Sequence, residues 1–195
     1  MYAVARDAGL DPAERWTRFR RLRDALLFTH PRSPLAPVDR LAGGSVPYFP
    51  FDPAMRVTAE AEPAPGEPFE IRLQADGVLR LARLARLHLE LRGRPASLAL
   101  YRLSGYGGGL FLPFRDATAG RESYGGGRYL IDTLKHADLG LEGGLLVLDF
   151  NFGYHPSCAY SPRWDCPLAP SENRLDIRIE AGERLPQAGW DAVRP

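Results

Sequence analysis

Phe69-Glu70-Ile71-Arg72-Leu73-Gln74-Ala75-Asp76-Gly77 is the stretch whose reading decides the fold. Phe69, Ile71 and Leu73 alternate with Glu70 and Arg72. That period of two lays one face of a strand on a core and leaves the other in water. Asp76-Gly77 then supplies a residue pair suited to a tight hairpin turn. The same period returns where Leu87, Leu89 and Leu91 alternate with His88 and Glu90, and where Leu175, Ile177 and Ile179 alternate with Asp176, Arg178 and Glu180. Leu79–Arg86 has arginines at every third position, but strand signals flank it on both sides, so it too is read as strand. Gly93 with Pro95 marks a further break. The strand candidates are 56–62, 67–74, 77–83, 85–91, 97–103, 109–114, 145–152 and 175–181. About eight short strands in succession predict a mainly β fold, an antiparallel β-sandwich or barrel.

Ahead of the strands, Asp11-Pro12-Ala13-Glu14 has the chemistry of a helix start, with an Asp cap, Pro at the first helical position and Glu behind it. Trp16, Phe19, Leu22, Leu26 and Leu27 follow at near-helical spacing, which predicts an N-terminal α-helix over 12–28. Arg15, Arg18, Arg20, Arg21 and Arg23 fall mostly off that stripe and are read as a solvated face. Six prolines between 30 and 53 predict an irregular arm over 30–55, pinned to the core by Tyr48, Phe49 and Phe51. The expected organisation is a single domain over 1–195, with a β core at 56–184 and a long C-terminal loop at 151–174.

Composition narrows the function. The chain has 195 residues, 45% apolar and 25% charged, with a formal net charge of +1. That balance gives no footing for nucleic acid. Of the 25 basic residues only Lys135 is a lysine. No uncharged apolar run approaches the ~18 residues of a membrane span, so no membrane partner is expected. Residues 1–11 lack the continuous apolar stretch of an export signal, and the expected location is a reducing cytoplasm.

Candidate chemistry concentrates near the C-terminus, in Leu148-Asp-Phe-Asn-Phe-Gly-Tyr-His-Pro-Ser-Cys158 and the run on to Cys166 and Arg174. Alternation along 145–152 puts Asp149 and Asn151 on one face, where a carboxylate beside a carboxamide suits proton transfer or ligand hydrogen bonds. The competing reading is that the two close the strand by bonding their own loop. Cys158 and Cys166 admit a zinc site with His155, a disulfide, two free thiols packed as small apolar groups, or a nucleophilic Cys158 paired with His155. Paired C-x-x-C-like ligands are missing, so no metal is expected. Ser123-Tyr-Gly-Gly-Gly-Arg-Tyr129 is a glycine run whose Arg128 either clamps an anion or pairs internally with Asp116 or Glu122. Gly105–Gly109 reads as a hairpin tip. Glu172, next to Asn173, is either an acid/base group or an ion-pair partner of an arginine.

Several motifs occur together in one order. Phe111-Leu-Pro-Phe-Arg-Asp-Ala-Thr118, Glu122-Ser-Tyr-Gly-Gly-Gly-Arg-Tyr-Leu130, Leu148-Asp-Phe-Asn151, Cys158-Ala-Tyr-Ser161, Cys166-Pro-Leu, Glu172-Asn-Arg-Leu175 and Ala181-Gly-Glu183 resemble the bacterial and archaeal family called domain of unknown function 1684. Trp16, Arg20, Arg23, Ser33-Pro-Leu35 and Tyr48-Phe-Pro50 fit it at the front, so the resemblance spans roughly 12–184. It implies no activity, substrate or cofactor. Its motif residues map onto Asp116, Thr118, Glu122, Tyr124, Arg128, Asp149, Asn151, Cys158, Tyr160, Cys166, Glu172 and Asn173. Where the family has Asn-Pro-Pro-Cys this chain reads His155-Pro-Ser-Cys158, a departure that weakens the zinc and Cys–His readings.

The leading expectation is a small-molecule site on a β scaffold. Arg128 would anchor an anion or carboxylate, and Asp149 and Glu172 would be the acid/base groups. Asp116, Glu122, Tyr124, Asn151, Tyr160 and Asn173 would line the site. The alternative from a different class is that the polar cluster only ties the loop 151–174 to the scaffold. Function would then lie on a surface, with an exposed apolar patch near Tyr48–Phe51.

Overall fold

A computed structural model describes residues 1–73, 77–104 and 108–186. Gln74–Asp76 of the first predicted turn and Gly105–Gly107 of the predicted hairpin tip lie outside the described residues. The fold is mainly β. Among the described residues it has eight strands: β1 Arg56–Pro63, β2 Phe69–Leu73, β3 Gly77–Leu91, β4 Arg94–Ser104, β5 Gly109–Phe114, β6 Arg128–Asp132, β7 Leu141–Glu142 and β8 Leu145–Asp149. They form one antiparallel sheet in the order β6-β5-β4-β3-β1-β8-β7, curled into a half-barrel, with β2 also paired to β3.

Three strand predictions need correction. The segments 77–83 and 85–91 are one strand, because the register slips between Arg83 and Ala85 and the chain bends through a bulge without breaking. Its first half pairs with β2 and its second half with β1. Strand β6, within the glycine-rich stretch, was not foreseen. All five of its residues are buried, so it shows no alternation to read. The third correction is 175–181, which is no strand of the sheet. Its alternation is real in burial, with Leu175 and Ile179 inside, but its bonding is mixed: Leu175 and Ile177 pair with the backbone of Arg115 and Ala117, and the side chains of Asp116 and Arg128 then take the backbone of Ile179.

The turn between β3 and β4 is Arg92-Gly93, with φ of 51° and 75°. Two successive positive φ angles make the tight hairpin that matches strand twist.

Helix α1 covers Tyr2–Ala5, α2 Pro12–Thr29 and α3 Pro37–Ala42. Helix α2 starts as predicted: the Asp11 carboxylate accepts from the N–H groups of Ala13 at 2.9 Å and Glu14 at 3.3 Å. Its buried face is not the predicted one. Phe19, Arg23 and Leu27 are buried, whereas Leu22 and Leu26 are 41% and 37% exposed. The inward stripe runs at i, i+4, i+8 through an arginine, so a reading that counts arginine as solvated rotates the helix wrongly. The arm 30–55 holds the short helix α3 inside its irregular path. It is pinned where Phe49 N–H donates to Gly182 and Arg184 N–H donates to Pro47.

Two apolar clusters share the sheet. One gathers Leu87, Leu98, Leu100, Leu112, Phe114, Leu148, Phe150 and Ile179. The other gathers Phe19, Tyr101, Leu103, Phe111, Tyr129, Phe152 and Tyr154. Strand β4 is therefore covered on both faces by alternate residues. Among the described residues no helix is long and apolar enough to cross a membrane.

Candidate functional site

Among the described residues, the predicted site residues are not brought together around one cavity. They fall into separate clusters, and most of their polar atoms are engaged by the chain itself.

Arg128 opens β6 and is 1% exposed. Its guanidinium donates to the carbonyls of Ile179 at 2.9 Å, Ala181, and Glu183 at 3.2 Å, and to the Asp116 carboxylate at 3.1 Å. Asp116 also accepts from Ile179 N–H at 2.8 Å, Thr118 N–H and the Thr118 hydroxyl. An arginine and an aspartate thus act as the missing strand beside residues 179–183. Burial lowers the Arg128 pKa and Asp116 opposes that fall. Of the two residue-level readings, internal pairing with Asp116 describes the geometry; the fork is filled by protein. The glycines before Arg128 serve close packing. Gly127, at φ +96°, lies against the Phe114 carbonyl, where a Cβ would not fit. Glu122 pairs with Arg178 at 2.5 Å on the surface.

Asn151 and Asn173 play the same part with carboxamides. Strand β8 ends at Asp149, which caps a 3-10 turn, Phe150–Phe152, by accepting from Asn151 N–H at 3.0 Å. The prediction that alternation puts Asp149 and Asn151 on one strand face is corrected: the turn brings them together, and Asn151 Nδ2 donates to Asp149 Oδ1 at 2.8 Å. Asn151 also pairs with both backbone groups of Asp52, at 3.0 and 2.8 Å. Asn173 pairs with both backbone groups of Ala99, at 2.7 and 2.9 Å, and donates to Pro113. It extends the ladder of β4 where β5 slips register at Pro113.

Glu172 lies across β3 and β4. Arg83 and Arg86 donate to it at 2.7 and 2.9 Å and the Tyr101 hydroxyl at 2.6 Å. Burial raises its pKa, but Tyr101 and the two arginines outweigh burial and hold it below the ordinary carboxylate value. Glu172 and Asp149 share none of these partners.

Sequence reading missed the most buried ionic centre, Glu183. Arg23 Nε donates to it at 2.6 Å, His155 N–H at 2.7 Å and Tyr48 at 3.3 Å, and the Tyr160 hydroxyl completes the shell. Glu183 is 0% exposed. Burial works to raise its pKa, and Arg23 and His155 together keep it lowered. Arg23 and Glu183 each sat in a stretch that carries the family resemblance, the one signal available for them. Gly182, at φ +79°, threads the chain past this centre; a Cβ there would meet the carbonyls of Gly153 and Phe150 at 2.6 Å each.

His155 is fully buried beside Glu183. Tyr124 N–H donates to its Nε2 at 3.1 Å, so Nε2 is unprotonated and the proton sits on Nδ1, facing Glu183 Oε2 at 3.6 Å. Burial, with Arg128 and Arg23 nearby, lowers its pKa from 6.5 to about 3, against the pull of Glu183. A base whose folded pKa is depressed costs stability once the unfolded chain takes up its proton. Stability is thus full above pH 6.5 and falls as pH drops from 6.5 toward 3, by up to roughly 1 kcal/mol per pH unit. Urea midpoints measured at steps from pH 7 to 5 should show that slope, and His155→Gln should flatten it.

Cys158 and Cys166 are free, partly exposed thiols. Among the described residues no cluster of three or more His, Cys, Asp or Glu is placed to hold a metal. His155 turns to Tyr124 and Glu183 rather than to Cys158.

One predicted residue does border open space. Asp149 lines a cleft of about 240 Å³ with Arg6, Arg15, Arg56, Glu142 and Phe152. Arg56 stands directly opposite Asp149 in the β1–β8 ladder. Asp149 Oδ1 takes both bonds from Asn151, and Oδ2 has no protein hydrogen bond. Burial raises the Asp149 pKa, while Asn151, Arg56 and Arg15 restrain the rise. Arg6 and Arg56 hold exposed ion pairs with Asp138 and Glu142. Arg15 has no ion pair among the described residues, and its Nε is buried without a hydrogen-bond partner. Nothing in the spacing of Arg6, Arg15 and Arg56 announced this convergence.

The apolar patch expected near Tyr48–Phe51 is packed instead: Trp16 stacks on Tyr48 and Phe51, and Phe49 is buried against Arg128.

Comparison with known proteins agrees with this picture of a shared fold. A solved structure, the solution NMR structure of the uncharacterized protein from gene locus rrnAC0354 of Haloarcula marismortui, is 35% identical, with a TM-score of 0.64 over 88% of this chain and 93% of that one. No curated protein matches significantly. Residues 44–184, which contain Arg128, Asp149, Asn173 and Glu183, match the family described as "Protein of unknown function (DUF1684)", and the chain belongs to that family.

Proposed function

We propose that this protein binds a small anion, a carboxylate or a phosphate, in the cleft between the N-terminal helices and the β1–β8 edge. The observation that supports it is the convergence of Arg15, which has no ion pair among the described residues, with Arg6 and Arg56 on the wall of one cleft. Three guanidinium groups on one cleft wall offer charge-assisted hydrogen bonds to an anion. Arg6 and Arg56 can turn to the ligand cheaply, because exposed ion pairs are worth about 0–1 kcal/mol.

Asp149 is the orienting group. Its raised pKa brings protonation to a higher pH than an ordinary aspartate, and once protonated its carboxyl can donate to the anion. Binding should therefore strengthen as pH falls, and Asp149→Asn should abolish that dependence. The proposal is for binding: Glu172, the other predicted acid/base group, is engaged by Arg83, Arg86 and Tyr101, and Glu142 in the cleft is ion-paired with Arg56. The remaining predicted residues, from Asp116 and Arg128 to Tyr160 and Asn173, serve as the frame that holds residues 171–183.

Titration of isotope-labelled protein with inorganic phosphate and with citrate tests this. We expect saturable shifts at Arg15, Arg56 and Asp149, weakening with salt, and roughly tenfold weaker binding in Arg15→Ala. Neither probe giving saturable shifts, or unchanged affinity in Arg15→Ala, would sink the proposal.

A further inference from the structure

Away from the cleft, the two thiols form a unit that anion binding does not use. Cys158 sits in the 3-10 turn Ser157–Ala159, and its N–H donates to Cys166 Sγ at 3.4 Å. That contact brings the Cys166 sulfur against the backbone of Cys158, so the two residues face one another across the loop. Both sulfur-bearing residues are partly exposed, so a small reagent can reach them.

The geometry points to a reversible dithiol–disulfide couple, with Cys166 the attacking sulfur and Cys158 the resolving one. The roles follow from the donors. Cys166 Sγ accepts the Cys158 N–H of the turn, and the Lys135 charge acts on it as well; both favour a thiolate. Those contacts hold the Cys166 pKa below the usual thiol value despite burial. Sharing its proton with Cys166, together with burial, pushes Cys158 up. A nucleophile and a protonated resolving partner are the two parts that thiol–disulfide exchange needs.

The reagent class is a low-molecular-weight disulfide, RSSR. The Cys166 thiolate attacks one sulfur, a Cys166 S–SR bond forms, the RS–SR bond breaks, and RS⁻ leaves and takes up a proton. Cys158 then gives up its proton, and its sulfur attacks Cys166 Sγ. The Cys158–Cys166 bond forms, and the second RS⁻ leaves and is protonated. Two protein thiols are oxidised by two electrons and one RSSR is reduced to two RSH.

Full-length reduced protein incubated with oxidised glutathione, followed by intact mass and peptide mapping, tests the assignment. The wild type should lose two hydrogens with no lasting adduct, and dithiothreitol should restore it. Cys158→Ser should stop at one glutathione on Cys166, and Cys166→Ser should react about tenfold more slowly or less. Native alkylation of the wild type with iodoacetamide reads the order without substitutions and should label Cys166 first. Equal rates at the two cysteines, first labelling at Cys158, or no oxidation of the wild type would overturn the proposal.

Discussion

Glu183→Gln should lower the unfolding free energy by about 3–5 kcal/mol, because it leaves the Arg23 guanidinium buried and uncompensated. Whole-domain stabilities are about 5–15 kcal/mol, so this one atom exchange removes a large share. The loss spreads beyond one pair. Glu183 also holds Tyr160, Tyr48 and the N–H of His155, linking helix α2, the arm and the C-terminal segment. Urea titration gives the number. A double substitution, Arg23→Met with Glu183→Met, should recover much of the loss, since replacing a buried pair by apolar groups is often close to neutral. If Glu183→Gln costs less than about 1 kcal/mol, the range of exposed pairs, the centre is not the keystone described.

Arg128→Met should be comparably damaging, by about 3 kcal/mol or more. It removes the donors to the carbonyls of Ile179, Ala181 and Glu183 and leaves Asp116 as a buried carboxylate without its cation. Arg128→Lys should not rescue, because one ammonium cannot span three carbonyls and a carboxylate as the planar fork does. Hydrogen exchange should show the loss concentrated at Ile179 and Glu183. The exposed Arg178–Glu122 pair is the control: Arg178→Ala should leave the urea midpoint close to that of the wild type. If Arg128→Lys is as stable as the wild type, the fork geometry is irrelevant and the argument falls.

These two centres show which parts of the protein a linear reading reaches. The alternation at Phe69–Leu73 and Leu87–Leu91 is local, because a strand's two faces are written by its own residues, and both segments are strands. The Asp11 cap of α2 is local for the same reason. Strand β6 escaped because a strand buried on both faces carries no polar alternation. Residues 175–181 alternate like a strand, yet past Ile177 the backbone passes from the main chain of Ala117 to the side chains of Asp116 and Arg128, which hold Ile179 from more than 50 positions away. At the candidate site, Asp149 was legible as a carboxylate at a strand end, but its place in a cleft was not. That depends on Arg6 and Arg15 arriving from the helices and on Arg56 facing it across the β1–β8 register.

The chain by itself thus determined a mainly β, antiparallel architecture, the start of α2 and the segments that matter, because periodicity and capping act over a few residues. Tertiary structure alone decided what the polar residues do. An arginine reads the same whether solvated or buried. Only packing placed Arg23 against a glutamate 160 positions distant, gave Arg128 the role of a strand, and brought Arg15 to the cleft beside Asp149.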